Sequence, residues 1–413
     1  EAFMENIRNT VSEIKLRFGW GQNGNQEIGN YSIYDIYDPY YGVTGDYIWS
    51  GTGIWNTSYD IEGKGSGQLA SGFRRSRLGN KNLKWETTTQ TNFGLDFGFF
   101  NNNLYGSVEY YIKKTKDILV EPPYAGIKGE GATQWVNGAG MENKGWEVSV
   151  GYRNETKGGL KYDINANVST NKNKVTELPE SVVNAYGGNG KWDNILGRPY
   201  QSYYGYVADG VFHNQNEVDN AQPGPNVALG GLRVKDINHD GVIDTNDRVP
   251  VADVNPLHTG GIGNTFSYKG WELYAFLRWS YGNDVVNGNA YYLTGTKNID
   301  NITQSVYNNV WSEAHPDRNF PLFGGGFWAE NAFRSDLVED GSFLRLQTVT
   351  LSYNLPKEVL EPYKLSKLRV GVTGTNLALW TRYSGFDPEA NTGYGTIARL
   401  APGLDMSPYP RPT

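Results

Sequence analysis

Apolar and polar residues alternate with a period of two in one segment after another of this chain. That pattern commits the segments to β-strands with one greasy and one wet face. In Thr91–Phe100, Phe93, Leu95, Phe97 and Phe99 share one face, and Asn92, Gly94, Asp96 and Gly98 the other. In Leu104–Ile112, Leu104, Val108, Tyr110 and Ile112 alternate with Tyr105, Ser107, Glu109 and Tyr111. Trp146–Arg153 sets Trp146, Val148, Val150 and Tyr152 against Glu147, Ser149, Gly151 and Arg153, and Leu160–Val168 repeats the pattern. It returns in Gly263–Tyr268, Trp271–Trp279, Val349–Leu355 and Leu368–Asn376, with a shorter candidate at Ile14–Trp20. A helix would scatter both sets around its circumference, since its side chains repeat every 3.6 residues.

The connections narrow the fold class further. Asn101–Asn103, Asn154–Gly159 and Gly270 are short breaks, and Pro356–Ser366 is a moderate one. Between them lie long segments, Lys113–Lys144, Asn171–Gly261 and Tyr281–Ser342, and a long tail follows Leu377. An up-and-down membrane barrel alternates in this way, with short turns at one rim and long loops at the other. A soluble sandwich has no reason to, and a propeller needs internal repeats that are absent. The expectation is an all-β chain, part of a large antiparallel transmembrane β-barrel with long extracellular loops.

Composition agrees. Fifty-two Gly and 29 Tyr suit strands and loops and disfavour helices. No run of 18 apolar residues offers a membrane helix. A polar average does not exclude a barrel, because only alternate residues meet lipid. The absence of Cys excludes a disulfide scaffold and thiol chemistry. A net charge of −7 without any Lys/Arg run argues against nucleic acid as a partner. The four His are scattered, and neither a G-x-S-x-G elbow nor a P-loop occurs, so no enzymatic centre is expected. Phe99, Phe100, Tyr110, Tyr111, Trp146, Trp271, Trp279 and Tyr353 fall near strand ends. Amphipathic rings settle there, at the membrane–water interface, and the general preference of aromatics for strands is the alternative reading. On this register Phe93, Leu95, Phe97, Val108, Val148, Val150, Leu273 and Leu277 face lipid, and Asn92, Asp96, Glu109, Glu147, Asn165 and Arg278 face the lumen.

One motif carries sharp chemistry. Residues 236–247 read DINHDGVIDTND, which fits the calcium-loop pattern D-x-[DN]-x-[DN]-G at its first six positions. Ca²⁺ takes six to eight oxygens. Asp236, Asn238 and Asp240 stand at positions one, three and five, and Gly241 permits the sharp turn. The Val242 carbonyl, Asp244 and Asp247 fall at positions seven, nine and twelve. Position twelve is Glu in an EF-hand, and no amphipathic helix precedes Leu232, so the expectation is a lone structural calcium loop, spanning 232–251, on the extracellular side. Ile243 is expected to pin it to neighbouring apolar surface. An Asx-rich turn without metal is the competing reading.

With these segments in view, the chain resembles the TonB-dependent transporters of Bacteroidetes in the SusC/RagA class. Six ordered blocks carry the resemblance: 78–119, NKGWEVSVGYRN (143–154), GRPYQSYYGYVADGVF (197–212), LRVKDINHDGVIDTNDRVPV (232–251), DGSFLRLQTVTLSYNLP (340–356) and GTNLALWTRYSGFDPE (374–389). The resemblance implies a 22-stranded outer-membrane barrel plugged by an N-terminal domain and capped by a SusD-like lipoprotein. It also implies TonB-driven uptake of oligosaccharides or peptides. This sequence is then the C-terminal barrel portion, with the plug and TonB-contacting segment before it and the closing strand beyond it. Trp49, Trp55, Trp192, Trp328 and Trp380 are candidates for stacking on substrate, and packing within the loops is the equal alternative. The lipoprotein is expected over 171–261 and 281–342, anchored by aromatics such as Tyr203, Tyr204, Phe212, Tyr291, Tyr292, Trp311 and Phe320. A surface barrel that grips glycan without transport is the runner-up.

Overall fold

The computed structural model describes residues 10–40, 59–60, 68–69, 72–121, 133–179, 195–200, 202–224, 227–293, 302–322, 333–391 and 402–406. Nine long strands form one continuous antiparallel sheet: β1 (Val11–Asn25), β2 (Glu86–Phe99), β3 (Leu104–Val120), β4 (Val136–Glu155), β5 (Lys161–Ser169), β6 (His258–Tyr268), β7 (Trp271–Tyr281), β8 (Phe343–Asn354) and β9 (Arg369–Thr381). They pair strictly in chain order, so each connection joins neighbours, and Lys172–Glu177 adds a tenth strand beside the far end of β4.

The register keeps every apolar row intact. Leu16, Leu95, Val108, Val148 and Val168 follow one another across five strands. Ala166, Ile262, Leu277, Leu346 and Ala378 continue the apolar face across the rest. The two sets expected to face lipid and lumen lie on opposite faces of the strands that carry them. The apolar face is bare, with Leu16 82% and Phe93 50% exposed, which in water is untenable for so many large side chains. Facing hydrocarbon it is the favourable arrangement.

Aromatic rows bound this face. At the turn end Trp271 packs on Tyr353 with centroids 4.9 Å apart, and Tyr152 on Tyr162 at 5.8 Å. At the loop end stand Trp20, the Tyr110–Trp146 pair at 4.7 Å, Trp279 and Trp380. Eight residue steps separate Trp271 from Trp279. At ~3.4 Å per step and a tilt near 40°, that spans roughly 20 Å, close to the apolar band of an outer membrane.

Glycine within these strands makes room for rings. A Cβ on Gly106 would sit 2.6 Å from the Phe97 ring, and one on Gly260 closer still to Trp279, so cross-strand aromatics lie flat over the missing side chains.

Connections at the turn end are short. Phe100–Asn103 turns through three residues of positive φ, Thr156–Leu160 closes on a 2.9 Å backbone bond, and Lys269–Gly270 needs two residues. The fourth, 355–368, holds a helical turn, Lys357–Leu360. All long connections leave from the opposite end. Two boundaries differ from expectation. The segment Lys113–Lys144 is mostly strand: β3 and β4 stay paired out to Val120 and Val136. Likewise the long connection after β5 contains the strand Lys172–Glu177. Beyond the membrane both faces are wet, so Lys114 and Lys144 both pair with Glu142 and the alternation that marks a strand disappears.

Candidate functional site at the loop end of the sheet

The polar face is an ordered wall. Arg17 of β1 donates to Asp96 of β2 (3.1 Å to Oδ1) and to Glu109 of β3 (2.9 Å), and Asn92 donates to the second Glu109 oxygen at 2.8 Å. Glu147 stands directly opposite Glu109 in the register. Such a face needs water or charged partners, as a lumen supplies.

Above the wall the long connections build a small core of their own. Ser202–Tyr206 pairs antiparallel with Val249–Asp253 and parallel with Phe333–Arg334. Asp284–Asn287 is the centre of a second sheet, antiparallel to Val338–Asp340 and parallel to Leu404–Asp405. Val285, Val286, Tyr206, Leu404, Tyr383 and Ala390 are buried there, so among the described residues most of the buried apolar side chains lie in the loops and few in the wall. Asp405 is fully buried and accepts from the Tyr383 hydroxyl (2.6 Å) and the Asn289 amide (2.7 Å). Nothing in the sequence marked Asp405 or Tyr383, because their partners are 22 and 116 residues away.

This core corrects part of the docking expectation. Phe212 (5% exposed) and Trp311 (4%) are interior residues, and the Trp311 ring fills the space beside Gly230. Tyr203 donates its hydroxyl to the Pro402 carbonyl at 2.9 Å, and burial pushes its pKa up to about 12. Side chains already spent on internal packing are not available to anchor a partner. Trp192 and Trp328, and the side chains of Tyr291 and Tyr292, lie outside the described residues.

The 236–247 loop is held by its own acids. Asp236 accepts from the amides of His239 (2.7 Å) and Gly241 (3.0 Å). Asn238 accepts from Asp240 N–H at 2.9 Å, and Asp240 from Val242 N–H at 2.9 Å. His239 and Gly241 take positive φ (58° and 87°), giving the sharp turn that the Gly forecast. Burial pushes the Asp236 carboxyl up, but the amides of Gly241 and His239, with Gln222, outweigh it and hold it below its ordinary range. Asp244 caps the short 3₁₀ turn Thr245–Asp247. Asp247 is fully buried, with Oδ1 on Ile237 N–H and Oδ2 on Asp244 N–H, both at 2.8 Å. Ile243 is buried as expected, and its amide donates to the Pro223 carbonyl at 2.9 Å.

Among the described residues no three His, Asp or Glu side chains gather at metal-binding spacing. The donor chemistry nonetheless suits a hard cation. Asn238, Asp240 and Val242 are exposed, and each carboxylate oxygen has a second lone-pair site beyond the one its amide uses.

Of the tryptophans considered for substrate, Trp49, Trp55, Trp192 and Trp328 lie outside the described residues. Trp380 ends β9 on the apolar face opposite Leu344, within the loop-end aromatic row. That places its ring toward the membrane side and away from the lumen.

Residues 9–231 match the family described as TonB dependent receptor-like, beta-barrel. TonB-dependent receptor P26 of Formosa agariphila is 31% identical over all of this chain and 40% of its own length. TonB-dependent receptor SusC of Bacteroides thetaiotaomicron is 30% identical over all of this chain and 37% of its own. The chain thus spans about two-fifths of the curated relatives it matches. A solved structure of the RagAB peptide transporter superposes on 98% of this chain and 40% of its own, with a TM-score of 0.72 and 24% identity, a likeness of fold.

Proposed function

The chain belongs to the TonB-dependent receptor β-barrel family, and from that premise we propose that it forms part of the wall of a nutrient importer. It is an outer-membrane barrel segment and not an enzyme. The observation that carries the proposal is the two-faced sheet: a bare apolar surface bounded by aromatics, backed by a charged wall, with every long connection at one end. An adhesin needs the loops but has no use for a wet interior. β1 and β9 end the sheet unpaired to each other, and an open edge is not tolerated in hydrocarbon. In the parent protein further strands close the barrel. A plug and a TonB-contacting segment supplied by the parent couple it to inner-membrane energy.

The substrate is an oligosaccharide or peptide, and a SusD-like lipoprotein covers the loop end. Exposed rings such as Tyr200 and Tyr307 are better placed to meet it than the buried Phe212 and Trp311. The 236–247 loop binds Ca²⁺ through Asp236, Asn238, Asp240, the Val242 carbonyl and Asp244. Asp247 serves from the interior, through an oxygen that also holds the loop amides. When bound, the ion draws the exposed limb Asn238–Val242 onto the rest of the loop, which lowers the ordering cost of docking the lipoprotein.

Uptake of labelled oligosaccharides and peptides by cells carrying the parent protein and its lipoprotein tests this reading. Accumulation that stops when the proton gradient is collapsed supports import. Surface binding with no internal label would establish the adhesive alternative.

A further inference from the structure

Arg278 of β7 and Arg345 of β8 are direct cross-strand partners on the lumen face, one row inside the loop-end aromatics. Like charges placed opposite each other destabilise a sheet unless an anion is supplied. Here both guanidinium groups lie over the same Phe343 ring, each 5.5 Å from its centroid. The anions come from one short run on the connection after β9. Asp387 accepts from Arg345 at 2.8 and 3.0 Å, Glu389 approaches Arg345 at 3.1 Å, and Glu389 also pairs with Arg278.

Three features distinguish this cluster from an ordinary strut. First, the carboxylates belong to a connection and not to the sheet, so they are removable while the arginines are fixed. Second, the Arg278 and Arg345 Nε–H groups are closed off from solvent and make no hydrogen bond, so the guanidinium forks are incompletely used. Third, a cavity of about 480 Å³ adjoins Arg278, lined by it and Glu389 together with Asn167, Phe276, Phe343 and Pro388. That volume suffices for a small ligand.

We propose that Arg278 and Arg345 form a carboxylate seat at the mouth of the passage, filled by the chain's own Asp387 and Glu389 until a ligand bearing neighbouring carboxylates takes their place. Paired carboxylates occur in acidic peptides and in uronic-acid oligosaccharides, and arginine forks recognise both. The inference rests on the import reading for the ligand's route. Equilibrium binding needs no energy source, so failure of the seat and failure of transport are told apart.

The test uses the full-length parent protein in lipid and isothermal titration. Probes are a heptapeptide containing Asp-Pro-Glu and a trigalacturonate, with an Asn-Pro-Gln peptide and a neutral trigalactose as controls. The variant Asp387→Asn/Glu389→Gln vacates the seat and is expected to bind at least one acidic probe ten-fold or more tighter than the unaltered protein. Adding Arg278→Gln should return that affinity to its starting value, and the neutral probes should stay unchanged throughout. Which acidic probe responds identifies the source. If the double variant does not fold, Glu389→Gln alone frees Arg278 while Asp387 still holds Arg345, and the same comparison applies. Equal binding of acidic and neutral probes, or no effect of Arg278→Gln, overturns the proposal.

Discussion

Asp247 binds two separate stretches of its loop at once, taking the Ile237 amide on one carboxylate oxygen and the Asp244 amide on the other, each at 2.8 Å. It is fully buried, so its removal strands amides that water cannot reach. Asp247→Ala should destabilise this loop by about 1–3 kcal/mol whether or not calcium is present. Asp240 is exposed and accepts only from loop-tip donors, Val242 N–H and the Asn238 side chain. Asp240→Ala should leave the metal-free loop folded and weaken calcium binding at least ten-fold. Hydrogen exchange of residues 236–247 with and without calcium separates the two. Equal protection in the presence and absence of the ion would mean that this loop does not bind calcium.

Charge placed on the apolar face should block insertion. Val108 stands between Leu95 and Val148, and Ser107 one residue away between Asp96 and Ser149. Val108→Arg should cost about 2–4 kcal/mol of folding in lipid, whereas Ser107→Arg should cost under about 1 kcal/mol. Heat-modifiable gel mobility after refolding into vesicles measures both, and similar losses would mean that the faces are misassigned.

The two-residue turn Lys269–Gly270 has positive φ at both positions, 46° and 87°. A Cβ on Gly270 would approach the Tyr353 ring at 2.9 Å and the Asn354 carbonyl at 3.0 Å. Gly270→Val combines backbone strain with that clash, and a loss of roughly 2 kcal/mol or more is expected in the same refolding assay. Gly270→Asn, which tolerates the left-handed region, should recover part of it.

Acidity should act on the loop core through Asp284. Burial raises its pKa, and the charges of Asp253 and Asp340 raise it further, against the Asp253 amide that it accepts at 2.8 Å. A carboxyl raised in the folded state carries a penalty that is full above its folded pKa and vanishes below its ordinary value, near 4. Asp340, lowered chiefly by Ser342, behaves oppositely: its stabilisation is present above the ordinary value and fades as pH falls through its folded pKa. Asp284→Asn should therefore raise the thermal midpoint of the loop core at pH 7 by on the order of 1 °C, with the difference gone below about pH 4. A midpoint lowered at pH 7 would mean that the charge is needed there.

Much of this was legible because one physical rule governs the wall. Strand faces alternate, so Phe93, Leu95, Val108 and Val148 disclosed both the register and its orientation. The rule fails where both faces are wet, and so the paired strands beyond Lys113 and before Lys144 read as loop. It fails again in the loop core. Phe212 and Trp311 look like docking aromatics, and only the fold shows that they are spent on each other's neighbourhood. The calcium-loop pattern stood out because the ligands proposed for it are close in sequence. Arg278 and Arg345 are 67 residues apart, and their carboxylates 111 and 42 residues further on, beyond the reach of any local pattern.

On the proposed function, one face of this sheet meets hydrocarbon and the other a watery passage. The chain contains no Cys, so single labels are easily placed. Spin labels introduced singly at 93, 94, 95, 96 and 97 of β2, in the full-length parent protein in vesicles, should alternate in their collision rates. Labels at 93, 95 and 97 should be open to dissolved oxygen and closed to a water-soluble nickel complex, with 94 and 96 the reverse. Uniform nickel access along all five positions would contradict the membrane wall and the function built on it.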